Sequence, residues 1–325
     1  MTEPLLKIRD LCVDYVTESG NARAVNNVSL DIYPGETVGI AGESGCGKST
    51  LAFAIANLHS APALITEGEI LFEGEDVLKM SEEELRSFRW AKASMVFQSA
   101  MNALNPVITI GEQLIDVVLA HQNVSKEVAR QKAIENLELV GIHASRINSY
   151  PHQLSGGMRQ RVVIAIALIL RPKLIIMDEP TTALDVVVER DIMDQLYDLK
   201  KEFGFAILFI SHDLGLMGEI TDRIGVMYAG KMVELGASED LMHAPQHPYT
   251  RGLLKSFPTI FGPKTRLEGI PGNPLNLLDV PKGCYFQARC DVCEQRCENE
   301  MPELLEVSAA ETRLVACHLI KQEAI

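Results

Sequence analysis

The sequence has little of what secretion or membrane insertion requires. Its first ten residues, MTEPLLKIRD, carry charges at Glu3, Lys7, Arg9 and Asp10 and no apolar core of signal-peptide length, so no export is expected. Its longest apolar run, residues 162–170, is nine residues held between Arg161 and Arg171, against the roughly 20 that span a bilayer. Membrane attachment is therefore expected only through a partner. Positive charge is scarce as well: 30 Lys and Arg face 44 Asp and Glu, a net charge of -14. Such a field opposes binding to phosphate backbones or anionic lipid, and nucleic acid is not an expected partner. Cysteine is nearly absent from the first 283 residues, with only Cys12 and Cys46, yet Cys284, Cys290, Cys293, Cys297 and Cys317 crowd the last 42. In a chain that is not exported these thiols stay reduced, so the cluster reads as a metal or redox site ahead of a disulfide framework.

What is there points to an α/β protein. At 325 residues the chain can bury one large domain and a smaller one. Leu6 and Ile8, then Val28, Leu30 and Ile32, then Ile70 and Phe72 alternate with polar neighbours, the period of antiparallel strands with one buried face. Residues 37–41 form a short apolar strand that runs into a glycine loop and an Ala- and Leu-rich helix at 49–58. A mostly helical stretch follows, read as an insertion at about 99–165, before buried strands return at 174–177 and 206–210. From His243 the texture turns proline-rich. The division expected is a nucleotide-binding domain over 1–245 and a cysteine-rich domain over 246–325.

The strongest chemical signal is GESGCGKST at 42–50, which fits G-x-x-x-x-G-K-[ST] between a strand and a helix. Gly42, Gly45 and Gly47, with Ser44 and Cys46 between them, let successive backbone N–H groups turn inward around phosphate oxygens. Lys48 supplies a point charge to the β- and γ-phosphates, and Ser49, followed by Thr50, offers a hydroxyl to Mg2+. These residues predict a nucleoside triphosphate site, with Cys46 as a small residue that fits there. Downstream, the apolar run LIIM ends in Asp178 and Glu179. Asp178 suits a hard metal ion, and Glu179 suits the base that deprotonates an attacking water. Ser155, Gly156 and Gly157, in LSGGM ahead of an apolar helix, make a second anion site that one nucleotide does not need. A second subunit is implied.

At this point the chain resembles the ATP-binding subunits of ABC transporters, whose LSGGQ signature is matched with Met158 in place of Gln. The resemblance covers roughly residues 5 to 245. It implies an ABC-type P-loop NTPase: a RecA-like core with an antiparallel β subdomain and a helical insertion. It places the adenine-stacking aromatic on Tyr15, the Q-loop glutamine on Gln98, the D-loop on Ala183, Leu184 and Asp185, and the switch histidine on His212. Mg2+ would be held through Ser49, Gln98 and Asp178. Two subunits would face head to tail, each ATP lying between the loop of one and the signature of the other.

The tail sharpens the subfamily. HPYTRGLL at 247–254, Gly272-Asn273-Pro274, Gly283-Cys284, Arg289-Cys290, Cys297 and Ala316-Cys317-His318 are similar to the tail of the oligopeptide, dipeptide and nickel importer ATPases. Such importers pair two different ATPases with two permeases and an extracytoplasmic binding protein, and some relatives carry oligosaccharides. The ATPase then sits on the cytoplasmic face of the membrane. Cys284, Cys290, Cys297 and Cys317 match the family's tail positions and Cys293 has no counterpart, which implies a [4Fe-4S] cluster on the first four. Four thiolates suit tetrahedral zinc equally, and the spacing permits Cys293 to replace one of them. A metal would hold this proline-rich tail folded at a distance from the nucleotide loop. The competing reading from another class is a redox- or iron-responsive regulator with the ATPase as its output.

Overall fold

The alternating stretches at the start of the chain become an antiparallel sheet. In the computed structural model, which describes residues 3–98, 103–180, 185–256, 269–308 and 311–320, the first elements are β1 (Leu6–Thr17), β2 (Gly20–Ile32), β3 (Thr37–Ala41), α1 (Lys48–Ile55), β4 (Ala63–Phe72) and β5 (Glu75–Asp76). The middle holds α2 (Glu82–Phe88), β6 (Ala93–Val96), α3 (Ile110–His121), α4 (Lys126–Leu139), α5 (Gly156–Leu168), β7 (Leu174–Asp178), α6 (Val186–Phe203) and β8 (Ala206–Ile210). The chain continues through α7 (Leu214–Ile220), β9 (Arg223–Tyr228), β10 (Lys231–Ala237), α8 (Ser238–His243), α9 (Pro248–Lys255), α10 (Gln295–Asn299), β11 (Leu305–Ser308) and β12 (Glu311–Val315). Among the described residues these elements form two compact units that interleave along the sequence: one within 33–36 and 79–208, the other within 3–32, 37–78 and 209–320.

The second unit carries the sheet β2-β1-β4-β5. Leu6 lies between Ile32 and Phe72, and Ile8 between Leu30 and Ile70, so the alternating apolar residues share one buried face. A parallel pair, β3 with β9, continues antiparallel through β10, β12 and β11. All five residues of β3 are buried, which is why that strand reads as a continuous apolar run. The last strands of the chain thus extend the sheet of the strand that precedes the glycine loop.

An ion pair fastens that edge. Arg313 Nη2 donates to Glu234 Oε1 at 2.6 Å, with the two side chains 3% and 0% exposed. The Glu234 carboxylate also accepts the backbone N–H groups of Gln246 and His247 at 2.9 and 3.0 Å, and Arg313 donates to the Ala244 carbonyl at 2.7 Å. The His247 ring is buried, which pushes its pKa down to about 3. It is neutral, with Nδ1 accepting the Tyr249 N–H at 3.1 Å at the start of α9.

The first unit pairs β6 with β7 in parallel, Ala93 beside Leu174 and Val96 beside Met177. Capping boxes start α2, through Ser81 and Glu84, and α3, through Thr109 and Glu112. Arg161 on α5 donates to the Val140 carbonyl at the end of α4 at 3.1 Å and to Gln195 and Asp191 on α6, tying three helices together. No helix among the described residues is long and apolar enough to cross a membrane.

Candidate functional site

The glycine loop hangs between β3 and α1 in the second unit. Gly47, the last residue before the helix, has φ +107, and a Cβ there would lie 2.0 Å from the Ala24 carbonyl oxygen. Only glycine fits both the backbone and the space. Lys48, 5% exposed, folds back so that Nζ donates to the carbonyls of Gly42 and Glu43 at 2.8 and 3.0 Å. An ammonium has three donors, and all three face the loop here, the third reaching the Cys46 sulfur at 3.8 Å. Ser44 and Gly45 are exposed at the tip, Ser49 and Thr50 half-buried at the helix start, and Gly42 and Cys46 buried. Burial raises the Cys46 thiol pKa, so this cysteine packs as a neutral group. Tyr15 on β1 reaches the same helix, its hydroxyl 3.3 Å from Thr50 Oγ1.

His212 follows β8 and is exposed. The neighbouring Ser211 N–H donates to the Ile40 carbonyl at 3.4 Å, which sets this segment at the end of β3 from which the loop departs. Gln98, Asp178, Glu179, the signature residues 155–158 and Asp185 belong to the first unit. Asp178 ends β7 and is 2% exposed. Glu179 has φ +45, a left-handed backbone for a non-glycine residue directly before Pro180, where the helical region is disfavoured. Strain of this kind concentrates at sites where the surroundings fix a side chain. Gln98 Nε2 donates to Glu179 Oε2 at 2.7 Å, so two residues 81 positions apart meet directly.

The signature stretch lies beside the D-loop residue. Ser155 caps α5, its Oγ accepting the Met158 N–H at 3.3 Å, and Gly156 and Gly157 form the first turn. Asp185 caps α6 in the same way, Oδ1 accepting the Val188 N–H at 3.0 Å. A Cβ on Gly157 would stand 2.7 Å from Val188 Cγ1, so the glycine lets these two helix starts pack together. Ala183 and Leu184 lie outside the described residues.

In the tail, Cys284, Cys290, Cys297 and Cys317 line one pocket together with His247 and His318, while Cys293 is exposed outside it. The Cys284 N–H donates to the Cys297 carbonyl at 2.7 Å, drawing the two segments together. Burial pushes the Cys284 thiol up to about 11 and raises Cys290 and Cys317 as well, with neighbouring thiols adding to the shift. Among the described residues no three Cys, His, Asp or Glu side chains are spaced to hold a metal ion. The donor set predicted from the sequence is thus gathered in one place, but its thiols do not converge to ligating distance.

The tail also enters the loop itself, which sequence reasoning missed. Arg289 forms a two-armed ion pair with Glu43 at 2.6 and 2.8 Å, and the Tyr249 hydroxyl accepts the Glu43 N–H at 2.8 Å. The expectation that the cysteine tail stands at a distance from the nucleotide loop is therefore corrected. Only an acidic residue inside a phosphate-binding motif hinted at a missing cation.

A buried strand feeding a glycine loop and a lysine-bearing helix, with an acidic pair closing another buried strand, defines a P-loop nucleotide-binding protein. Residues 25–182 match the ABC transporter family, and residues 233–297 match the oligopeptide/dipeptide transporter C-terminal region. The chain is 43% identical over 325 residues to the dipeptide transport ATP-binding protein DppD of Bacillus subtilis, covering 99% of this chain and 96% of the relative. It is 45% identical over 300 residues to the oligopeptide transport ATP-binding protein OppD of Salmonella typhimurium, covering 92% and 89%. A dimeric ATP-binding cassette solved in a post-hydrolysis state with ADP and Pi superposes with a TM-score of 0.64 at 32% identity, over 72% of this chain and 98% of that one. The chain belongs to the ABC transporter ATPases, in the branch that carries the oligopeptide/dipeptide transporter C-terminal region.

Proposed function

We propose that this ATPase energises uptake of di- and oligopeptides through partner permeases on the cytoplasmic face of the membrane. The observation that carries the reading is the near-full-length similarity to ATP-binding proteins named for dipeptide and oligopeptide transport, C-terminal region included. Nickel and oligosaccharides are the alternative cargoes. The partners of this reading are a second, different ATP-binding subunit, two transmembrane permeases and an extracytoplasmic substrate-binding protein. Co-purification from native membranes tests it: recovery of the chain without any permease would defeat it.

Residues 42–50 cradle the triphosphate in this reading, with Tyr15 against the adenine and Lys48 on the β- and γ-phosphates. Ser155, Gly156, Gly157 and Met158 serve the ATP of the opposing subunit from the start of α5. Ser49, Gln98 and Asp178 offer oxygen donors for Mg2+, and the buried carboxylate of Asp178 is the donor type a hard cation takes. When bound, Mg2+ neutralises charge on the phosphate oxygens. Glu179 accepts the proton of the attacking water, Gln98 orients the Glu179 carboxylate through their hydrogen bond, and His212 and Asp185 are the further residues that the family resemblance assigns to this chemistry. Lys48→Ala is expected to weaken ATP binding roughly ten- to hundredfold, the effect of losing a charge-assisted hydrogen bond to phosphate. Equilibrium titration with a fluorescent ATP analogue measures it, and unchanged affinity would refute the loop assignment.

The cysteine pocket is read as the seat of a [4Fe-4S] cluster on Cys284, Cys290, Cys297 and Cys317, with zinc as the alternative. Support comes from the shared pocket and the exclusion of Cys293 from it. Such a group would cross-link the tail from Cys284 to Cys317. Anaerobically purified protein is expected to be brown, with iron and acid-labile sulfide near four each per chain, and Cys297→Ser to bleach it. Colourless protein with stoichiometric zinc would replace the cluster by a structural metal.

A further inference from the structure

Glu43 is an anomaly in a loop built to receive a polyanion. Its carboxylate stands one residue from Gly42, where it would repel the phosphates unless paired. Three groups of this residue are fixed, and the C-terminal segment supplies two of the partners. The Arg289 guanidinium takes both carboxylate oxygens, with the Arg289 side chain 5% exposed and that of Glu43 26% exposed. Tyr249, fully buried, accepts the Glu43 N–H, and Lys48 takes the Glu43 carbonyl.

Arg289 arrives already oriented. Its Nε donates to the Pro271 carbonyl at 2.8 Å and Nη2 to that of Ile270 at 3.4 Å, so the fork faces Glu43 without searching rotamers. The rings of Tyr228 and Phe286 lie 5.8 and 6.0 Å from its central carbon. Tyr249 packs edge-on against Tyr228 at 4.7 Å and tilted against Phe286 at 5.3 Å, which fixes its hydroxyl. A rigid aromatic cluster thus presents one cation and one acceptor to the first turn of the loop.

We propose that Arg289 and Tyr249 are positioning residues of the ATP site: they neutralise Glu43 and hold the loop backbone ready for phosphate, making the C-terminal segment part of nucleotide binding. The proposal rests on the reading of residues 42–50 as the phosphate loop. An unpaired Glu43 both repels phosphate and frees the loop, so apparent affinity falls by the fraction of loops correctly formed. Chemistry at saturating ATP is untouched.

The test is ATP affinity of the full chain together with KM and kcat in the assembled transporter. Arg289→Ala is expected to raise Kd and KM for ATP roughly tenfold while kcat stays within about twofold. Adding Glu43→Gln to Arg289→Ala removes the uncompensated charge and should restore at least half of the lost affinity on a logarithmic scale. A merely structural role would lower kcat and thermal stability without that rescue, and this outcome would overturn the proposal. So would wild-type Kd in Arg289→Ala beside a Lys48→Ala control that has lost ATP. Wild-type Kd in the Lys48→Ala control would instead remove the phosphate-loop reading beneath it. Should Arg289→Ala fail to fold, Arg289→Lys, which keeps the charge but loses the fork, and Tyr249→Phe, which loses only the acceptor, are each expected to raise KM about threefold. Wild-type KM in both would overturn the proposal.

Discussion

Glu179→Gln is expected to cut ATP turnover by at least about a hundredfold, the lower range of what a positioned general base contributes, while ATP stays bound. The substitution keeps the shape of the side chain and the acceptor oxygen that receives the Gln98 amide, so the contact between the two segments can persist. What disappears is the capacity to take a proton. The backbone at Glu179, left-handed with φ +45, is as costly for Gln as for Glu, so the fold should register no difference. Loss of hydrolysis without loss of binding should accumulate the ATP-bound form. Phosphate release by the assembled transporter gives the rate, and nucleotide retained on the protein after gel filtration gives the trapped state. Hydrolysis within threefold of wild type would remove Glu179 from the base role and leave its strained backbone without a catalytic reason.

The parts legible in the sequence are those whose physics is local. The alternation of Leu6, Ile8, Leu30, Ile32, Ile70 and Phe72 names a buried face because a strand repeats every second residue, and the register pairs those residues across β1, β2 and β4. Gly47 and Lys48 are readable for a similar reason: a loop that must wrap phosphate needs that backbone freedom and that charge at fixed offsets. Glu179 is legible from its place after a buried apolar strand and Gln98 through a family resemblance, but nothing local in the chain predicts their hydrogen bond. The pairing of Arg289 with Glu43 is not legible beyond the hint of an acid in a phosphate loop, since its partners are 246 residues apart and Arg289 passes for a surface charge. The last strands were equally hidden: residues 311–315 are short and partly charged, and their place beside β10 is decided by what Glu234 requires.

That requirement gives a large expected effect on stability. Glu234→Ala should destabilise the β10–β12 edge by about 3–5 kcal/mol, because Arg313 would remain buried without its counter-charge. The Gln246 and His247 N–H groups would lose their acceptor at the same time, just ahead of α9. Removing the partner instead, as Arg313→Ala, leaves the carboxylate charged and buried and should cost a similar amount. Replacing both by Glu234→Gln with Arg313→Met is expected to cost much less, since no charge is stranded and the Gln carbonyl can still accept a backbone N–H. Hydrogen exchange reads the edge directly: amides of 234–235 and 314–315 should lose on the order of a hundred- to a thousandfold of protection in either single variant and far less in the double one. Protection within tenfold of wild type in Glu234→Ala would show that the buried pair contributes less than about 1.4 kcal/mol to holding β12, well short of the expected effect. Because Tyr249 follows His247 by two residues, a loosened edge should also free the hydroxyl that accepts the Glu43 N–H, and ATP affinity should fall together with the protection.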